Sequence, residues 1–196
     1  MYSKEFDILD GGMGRELKQI GAPFKQPQWS AQALIENDTF VTQVHDQFIQ
    51  AGSEIIAINS YACMPFHLGN SVVELQGANL IKQAAMLARN CANKKIGTQV
   101  AACIPPLFGS YQPDLFDAQK ANSILKILID NQNTFADFWL IETISSIEEL
   151  KLVIKALSGN EKQKWYAFSL SDDDTIKPQL RSGEPLKKAI PVAATH

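Results

Sequence analysis

Residues 40–59 read FVTQVHDQFIQAGSEIIAIN, and this stretch decides the class of fold. Phe40, Val41, Val44, Phe48 and Ile49 recur at helical spacing. Asn37, Asp38 and Thr39 stand just before them as candidate N-caps, and Gly52 supplies the stop. The apolar run that follows, Glu54-Ile55-Ile56-Ala57-Ile58-Asn59, reads as a buried strand with polar residues at its exit. A helix, a glycine and a buried strand in twenty residues is the repeating unit of an α/β fold.

The same alternation extends both ways. Upstream, residues 6–10 form an apolar run stopped by Gly11-Gly12. A short helix is predicted over 14–20, ending at Gly21, then a loop over 22–29 with Pro23 and Pro27. Downstream, helix 72–91 carries Leu80, Ala84, Leu87 and Ala88 on one face. A strand over 95–104 is closed by Pro105-Pro106. Helix 118–135 precedes a strand over 137–141 that ends in Glu142-Thr143. Ser146 and Glu149 have the spacing of a capping box, which opens a helix running to 157. Residues 165–170 make a fifth strand, and a last helix starts near Glu184-Pro185. Five βα units without hairpin signals imply parallel strands joined by right-handed crossovers. Periodicity leaves two architectures open, a doubly wound sheet and part of a (β/α)8 barrel, which takes about 250 residues when complete.

Composition bounds the class. The chain has 196 residues, 45% hydrophobic and 20% charged, with a formal net charge of −3. That is one globular domain, 1–196, with no linker or low-complexity break. No basic patch stands out, which argues against nucleic acid and anionic membrane surfaces as partners. No apolar stretch nears the roughly 18 residues of a membrane span, and the first residues do not resemble a signal peptide. A soluble cytoplasmic protein is expected. Cys63, Cys91 and Cys103 are odd in number and widely spaced, unlike a disulfide framework.

Both architectures bind ligands at the carboxyl ends of their strands. The residues there are Asp10-Gly11-Gly12, Asn59-Ser60-Tyr61, Cys103, Glu142-Thr143, and Ser169 with Ser171. Two carboxylates converging on one mouth suit an ammonium group, and backbone amides at Gly12 to Gly14 suit a carboxylate. A zwitterionic small molecule is the implied ligand class. Asp10-Gly11 is also a common turn pair, and Glu142 could simply cap the next helix. Gly11-Gly12-Met13-Gly14 lacks the G-x-G-x-x-G spacing of a dinucleotide loop. His45, beside Val44 and Phe48, reads as a half-buried, hydrogen-bonded helix residue rather than a catalytic one. Cys63 and His67 have i, i+4 spacing, but Pro65 and Gly69 argue against a regular helical metal site. Asp172-Asp173-Asp174 reads as a solvated loop.

The motifs at the strand ends resemble those of the homocysteine S-methyltransferase family. Asp10-Gly11-Gly12-Met13-Gly14-Arg15-Glu16-Leu17 resembles its opening DGGMGTEL motif, with Arg15 in place of Thr. Gln28-Trp29-Ser30-Ala31 resembles its WSA segment. His45 with Ala51-Gly52-Ser53-Glu54-Ile55-Ile56 resembles H…AGADII, Asn59-Ser60-Tyr61 its NSY motif, and Leu140-Ile141-Glu142-Thr143 its LLET motif. Ala102-Cys103-Ile104-Pro105-Pro106 stands where many members have a GSIGP-like turn.

The resemblance implies a TIM barrel of which this chain holds about five βα units, truncated before strand six. It implies methyl transfer to homocysteine, giving methionine, from a sulfonium or similar donor such as S-methylmethionine or S-adenosylmethionine. By the same resemblance Asp10 and Glu142 hold the homocysteine amino group, Gly11 and Gly12 shape the loop beneath it, and Asn59, Tyr61 and Thr143 complete the substrate pocket. The family uses zinc to hold the sulfur as thiolate, since a free thiol with a pKa of about 8.5 is mostly protonated at neutral pH. Its zinc cysteines come from GxNC and GGCC motifs, and this sequence contains neither. The expectation is therefore no zinc bound by this chain, no catalytic residue within it, and no activity alone. Open barrel edges would favour self-association. The competing readings are a non-catalytic amino-acid-binding or interaction module, or one half of a split enzyme.

Overall fold

The computed structural model describes residues 6–173, 175 and 177–195. Helices α1 (Met13–Gln19), α2 (Ser30–Glu36) and α3 (Thr39–Ala51) precede strand β1 (Ile55–Ala57). Short helices α4 (Pro65–Leu68) and α5 (Asn70–Val72) lead through a π-helical turn, Val73–Gly77, into α6 (Ala78–Ala92). Then come β2 (Gln99–Ile104), a 3-10 turn at Pro113–Leu115, α7 (Ala118–Gln132) and β3 (Phe138–Ile144). The chain continues with α8 (Ile147–Ala156), β4 (Lys164–Phe168) and α9 (Leu186–Ala194). All strands pair in parallel, in the order β1-β2-β3-β4. This is the α/β arrangement expected of a partial barrel.

The first of the five expected strands is reduced to a single parallel bridge, Leu9↔Ile55. Three backbone bonds hold it to β1: Asp10 N–H to the Ile55 carbonyl at 2.9 Å, and the Glu54 and Ile55 N–H groups to the Ile8 carbonyl at 2.8 and 3.1 Å. Among the described residues the backbone of Ile8 and Leu9 pairs only with this strand, and both residues are exposed. Helix α2 was not anticipated. It follows Trp29 directly, and its buried side chains are only Ser30, Ala31, Ala33 and Leu34, too short a run to show a period.

Strand alternation separates two apolar layers. Ile56, Val100, Ala102, Trp139 and Ile141 point to the helices and join the main core. Ile55, Ala101, Phe138 and Leu140 point the other way and form a second cluster with Ala57 and Trp165. That inner face carries the functional side chains at its carboxyl end.

The helix ends follow the local signals. Gly52 takes a left-handed conformation, φ 114°, and returns its N–H to the Ile49 carbonyl. Ser146 caps α8 by accepting from the Glu149 amide, while the Glu149 carboxylate reaches back to the Ser145 amide rather than to Ser146 itself. His45 departs from expectation. It is fully buried rather than half-buried, and neither ring nitrogen has a partner among the described residues. Burial pushes its pKa down to about 4, so it packs as a neutral ring. All three cysteines are free and buried. Among the described residues no helix is long and apolar enough to cross a membrane.

Candidate active site

A cleft of about 610 Å³ opens at the carboxyl ends of the strands. Of the residues singled out from sequence, Asp10, Gly11, Gly12, Asn59, Tyr61 and Glu142 all line it. Thr143 stands behind Tyr61, at 3.4 Å from its hydroxyl.

Asp10 follows the Leu9 bridge, where the chain leaves the sheet. Its Oδ2 accepts the Ala57 amide at 2.9 Å, which ties the carboxylate to the end of β1. Burial raises its pKa from 3.8 to about 7, opposed by the Ala57 bond and reinforced by the nearby charge of Glu142. Glu142 lies on β3 two residues past Leu140, so it shares the inner face. Burial raises its pKa too, while a hydrogen bond from the Cys103 thiol, 2.9 Å to Oε1, draws it back down. The two carboxyls thus line one cleft, and desolvation perturbs the protonation of both.

The backbone around them is shaped by close contact. A Cβ on Gly11 would fall 2.8 Å from the Phe48 ring, and one on Gly14 would fall 2.9 Å from the Phe24 ring. Gly12 is the N-cap of α1 and has open space around it. Just past Glu142, Thr143 adopts φ 62°, and the β3–β4 register shifts between Ile141 and Ile144. A β-branched residue in that region is strained, and strain of this kind gathers at functional strand ends.

The remaining wall is largely aromatic and comes from the loop before α2, the short helix α4 and the loop after β2. Phe24 meets Trp29 edge-on at 5.6 Å, and Phe66 meets His67 at 5.1 Å. Tyr61 hydroxyl bonds Ser110 at 2.7 Å, fastening the loop after β2 across the cleft. Tyr111 on that loop lies under the Arg181 guanidinium at 5.3 Å, and Arg181 pairs with Asp172 at 2.8 Å. Phe24, Phe66, Ser110 and Tyr111 carry no signal in the sequence that marks them as site residues, because side chains in loops and in a single helical turn have no period to reveal which way they face; Trp29 stands in the Gln28-Trp29-Ser30-Ala31 segment, and His67 enters the sequence reading only beside Cys63 as a metal pair.

The cysteines do not fit a zinc centre. Among the described residues no group of three His, Cys, Asp or Glu side chains is placed to hold a metal. Cys63 points to the Asn59 carbonyl, and burial pushes its thiol up to about 12. His67 Nδ1 lies 3.1 Å from the Pro27 carbonyl and serves as a donor there. The i, i+4 pair Cys63 and His67 is thus engaged in two separate backbone contacts.

The family profile described as homocysteine S-methyltransferase matches residues 7–195. The homocysteine S-methyltransferase of Escherichia coli is 25% identical over 209 residues, covering 96% of this chain and 65% of that protein. Homocysteine S-methyltransferase YbgG of Bacillus subtilis is 25% identical over 189 residues, covering 84% of this chain and 59% of its own length. This chain therefore spans under two thirds of each of these relatives. Among solved structures, the metallated form of the Escherichia coli homocysteine methyltransferase MmuM superposes with a TM-score of 0.83 at 24% identity, over 98% of this chain and 72% of that one. That likeness establishes the fold.

Proposed function

Since this chain belongs to the homocysteine S-methyltransferase family, we propose that its cleft is the amino-acid side of a site for methyl transfer to homocysteine. The observation that carries this reading is the pair Asp10 and Glu142, both half-buried, both lining one cleft, and both with pKa values raised by desolvation. An ammonium group between them would restore the solvation that burial removed, and would draw both carboxyls into their ionised forms. Gly11 lets the loop beneath it sit against Phe48, and Asn59 and Tyr61 form the adjoining wall.

The donor we favour is a sulfonium compound such as S-methylmethionine or S-adenosylmethionine. Trp29, Phe24, Tyr61 and Tyr111 line the cleft, and ring quadrupoles attract a desolvated cation. The family's zinc would supply a thiolate nucleophile, but the cysteines of this chain do not assemble a centre for it. The 196 residues contain no GxNC motif and no adjacent cysteine pair. The polypeptide on its own is accordingly proposed to recognise the amino acid without transferring the methyl group.

The test is direct. Isothermal titration should show homocysteine binding that is lost in Asp10→Asn and Glu142→Gln. Incubation with homocysteine, either sulfonium donor and zinc should yield no methionine. Absence of homocysteine binding would overturn the site assignment. Methionine formation with about one bound zinc per chain would overturn the inactivity.

A further inference from the structure

We infer that Cys103 is a positioning residue for Glu142, its thiol fixing one carboxylate oxygen so that the other is presented to the substrate's ammonium group. The inference deepens the proposed homocysteine reading and rests on it for the identity of the ligand. Cys103 pairs with Leu140 in the β2–β3 register, and Glu142 lies two residues beyond Leu140. Alternation places Cys103 and Glu142 on the same inner face of adjacent strands. The thiol then donates to Glu142 Oε1 at 2.9 Å.

The thiol is held from behind. Gln132, fully buried at the end of α7, accepts the Cys103 amide through Oε1 at 2.9 Å and donates to the Cys103 carbonyl through Nε2 at 2.9 Å. Its Oε1 also accepts from the Ser60 hydroxyl at 3.0 Å, and Nε2 reaches the Leu128 carbonyl at 3.2 Å. One buried amide side chain is thereby saturated, and the backbone of Cys103 is clamped on both its polar groups. Burial and the Glu142 charge both hold the thiol protonated, which keeps it a donor. Without that donor, Glu142 would sit desolvated with no hydrogen-bond partner among the described residues, and its pKa would be pushed further up.

Infrared spectroscopy of the S–H stretch tests this on the 196-residue chain without relying on substrate. Cys103→Ala identifies the Cys103 band among the three cysteines. That band should lie below that of Cys63, whose thiol has only a 4.0 Å carbonyl contact, and should rise in Glu142→Gln or when Glu142 is protonated by acid. Titration with homocysteine gives the second readout. Cys103→Ala should bind about tenfold more weakly, the loss of one hydrogen bond to a charged group, and Cys103→Ser should recover most of that loss. A Glu142-dependent band in a chain that does not bind homocysteine would support the positioning role while removing the proposed substrate. Homocysteine binding unchanged in Cys103→Ala, with a band indifferent to Glu142→Gln, would overturn the inference and leave the substrate in place.

Discussion

Replacing Asp10 by Asn should stabilise the fold, and increasingly so as pH rises. The Asp10 carboxyl has a pKa of about 7 in the folded chain against an ordinary 3.8, chiefly because it is buried. A raised carboxyl pKa means the folded state keeps a proton that the unfolded chain has released. Stability is therefore fully present below about 3.8 and falls as pH rises toward about 7. Ionising Asp10 across that window costs about 4 kcal/mol, at roughly 1.4 kcal/mol for each pH unit of displacement. Asparagine retains an oxygen for the Ala57 amide but makes a neutral bond, giving back about 1–2 kcal/mol. The net expectation is about 2–3 kcal/mol in favour of Asp10→Asn near pH 8, shrinking to nothing or reversing near pH 4. Urea unfolding followed by circular dichroism across that range measures it, with the midpoint as readout and the slope as check. A variant less stable than the parent near neutral pH, or a difference that does not change with pH, would refute the argument that burial of this carboxyl strains the fold. The same residue is proposed to lose function when changed, and gain of stability with loss of binding is the signature of a site carved into a core.

Homocysteine affinity should climb as pH rises through about 7, because the ammonium ligand needs Asp10 ionised. Calorimetry in buffers of different ionisation enthalpy should detect proton release on binding below that pH, and none well above it. Gly14→Ala should cost about 1–2 kcal/mol of stability by overpacking, since its Cβ would fall 2.9 Å from Phe24, and should alter Trp29 fluorescence through the edge-on Phe24–Trp29 contact. Gly12→Ala, with nothing within 4 Å, should melt like the parent. Gln132→Leu leaves the Cys103 amide and carbonyl unpaired in the core and should cost about 2–4 kcal/mol in a thermal melt.

Much of the architecture was legible along the chain. Strand β1, helix α3 and the glycine between them follow from local periodicity and capping, which are short-range. The reduction of the first strand to a single bridge has a tertiary cause. Residues 6–10 have the apolar character of a strand, but strand identity needs neighbours, and only the Leu9 bridge to Ile55 is made. The full burial of His45 has a similar cause: a helix position gives the face, while the depth of burial depends on what packs over it.

Sequence alone determined the alternation of helices and strands, and which residues stand at the strand ends. Both are set by neighbours a few positions away, and the carboxyl ends of parallel strands must gather at one side. Only the tertiary structure decided how those residues act on one another. Asp10 is held by Ala57, 47 residues away, and Glu142 by Cys103, 39 residues away. Those contacts depend on strand register, and register is fixed by the whole buried face rather than by any local stretch. The protonation of the two carboxyls was decided there too, because burial sets the cost of a charge.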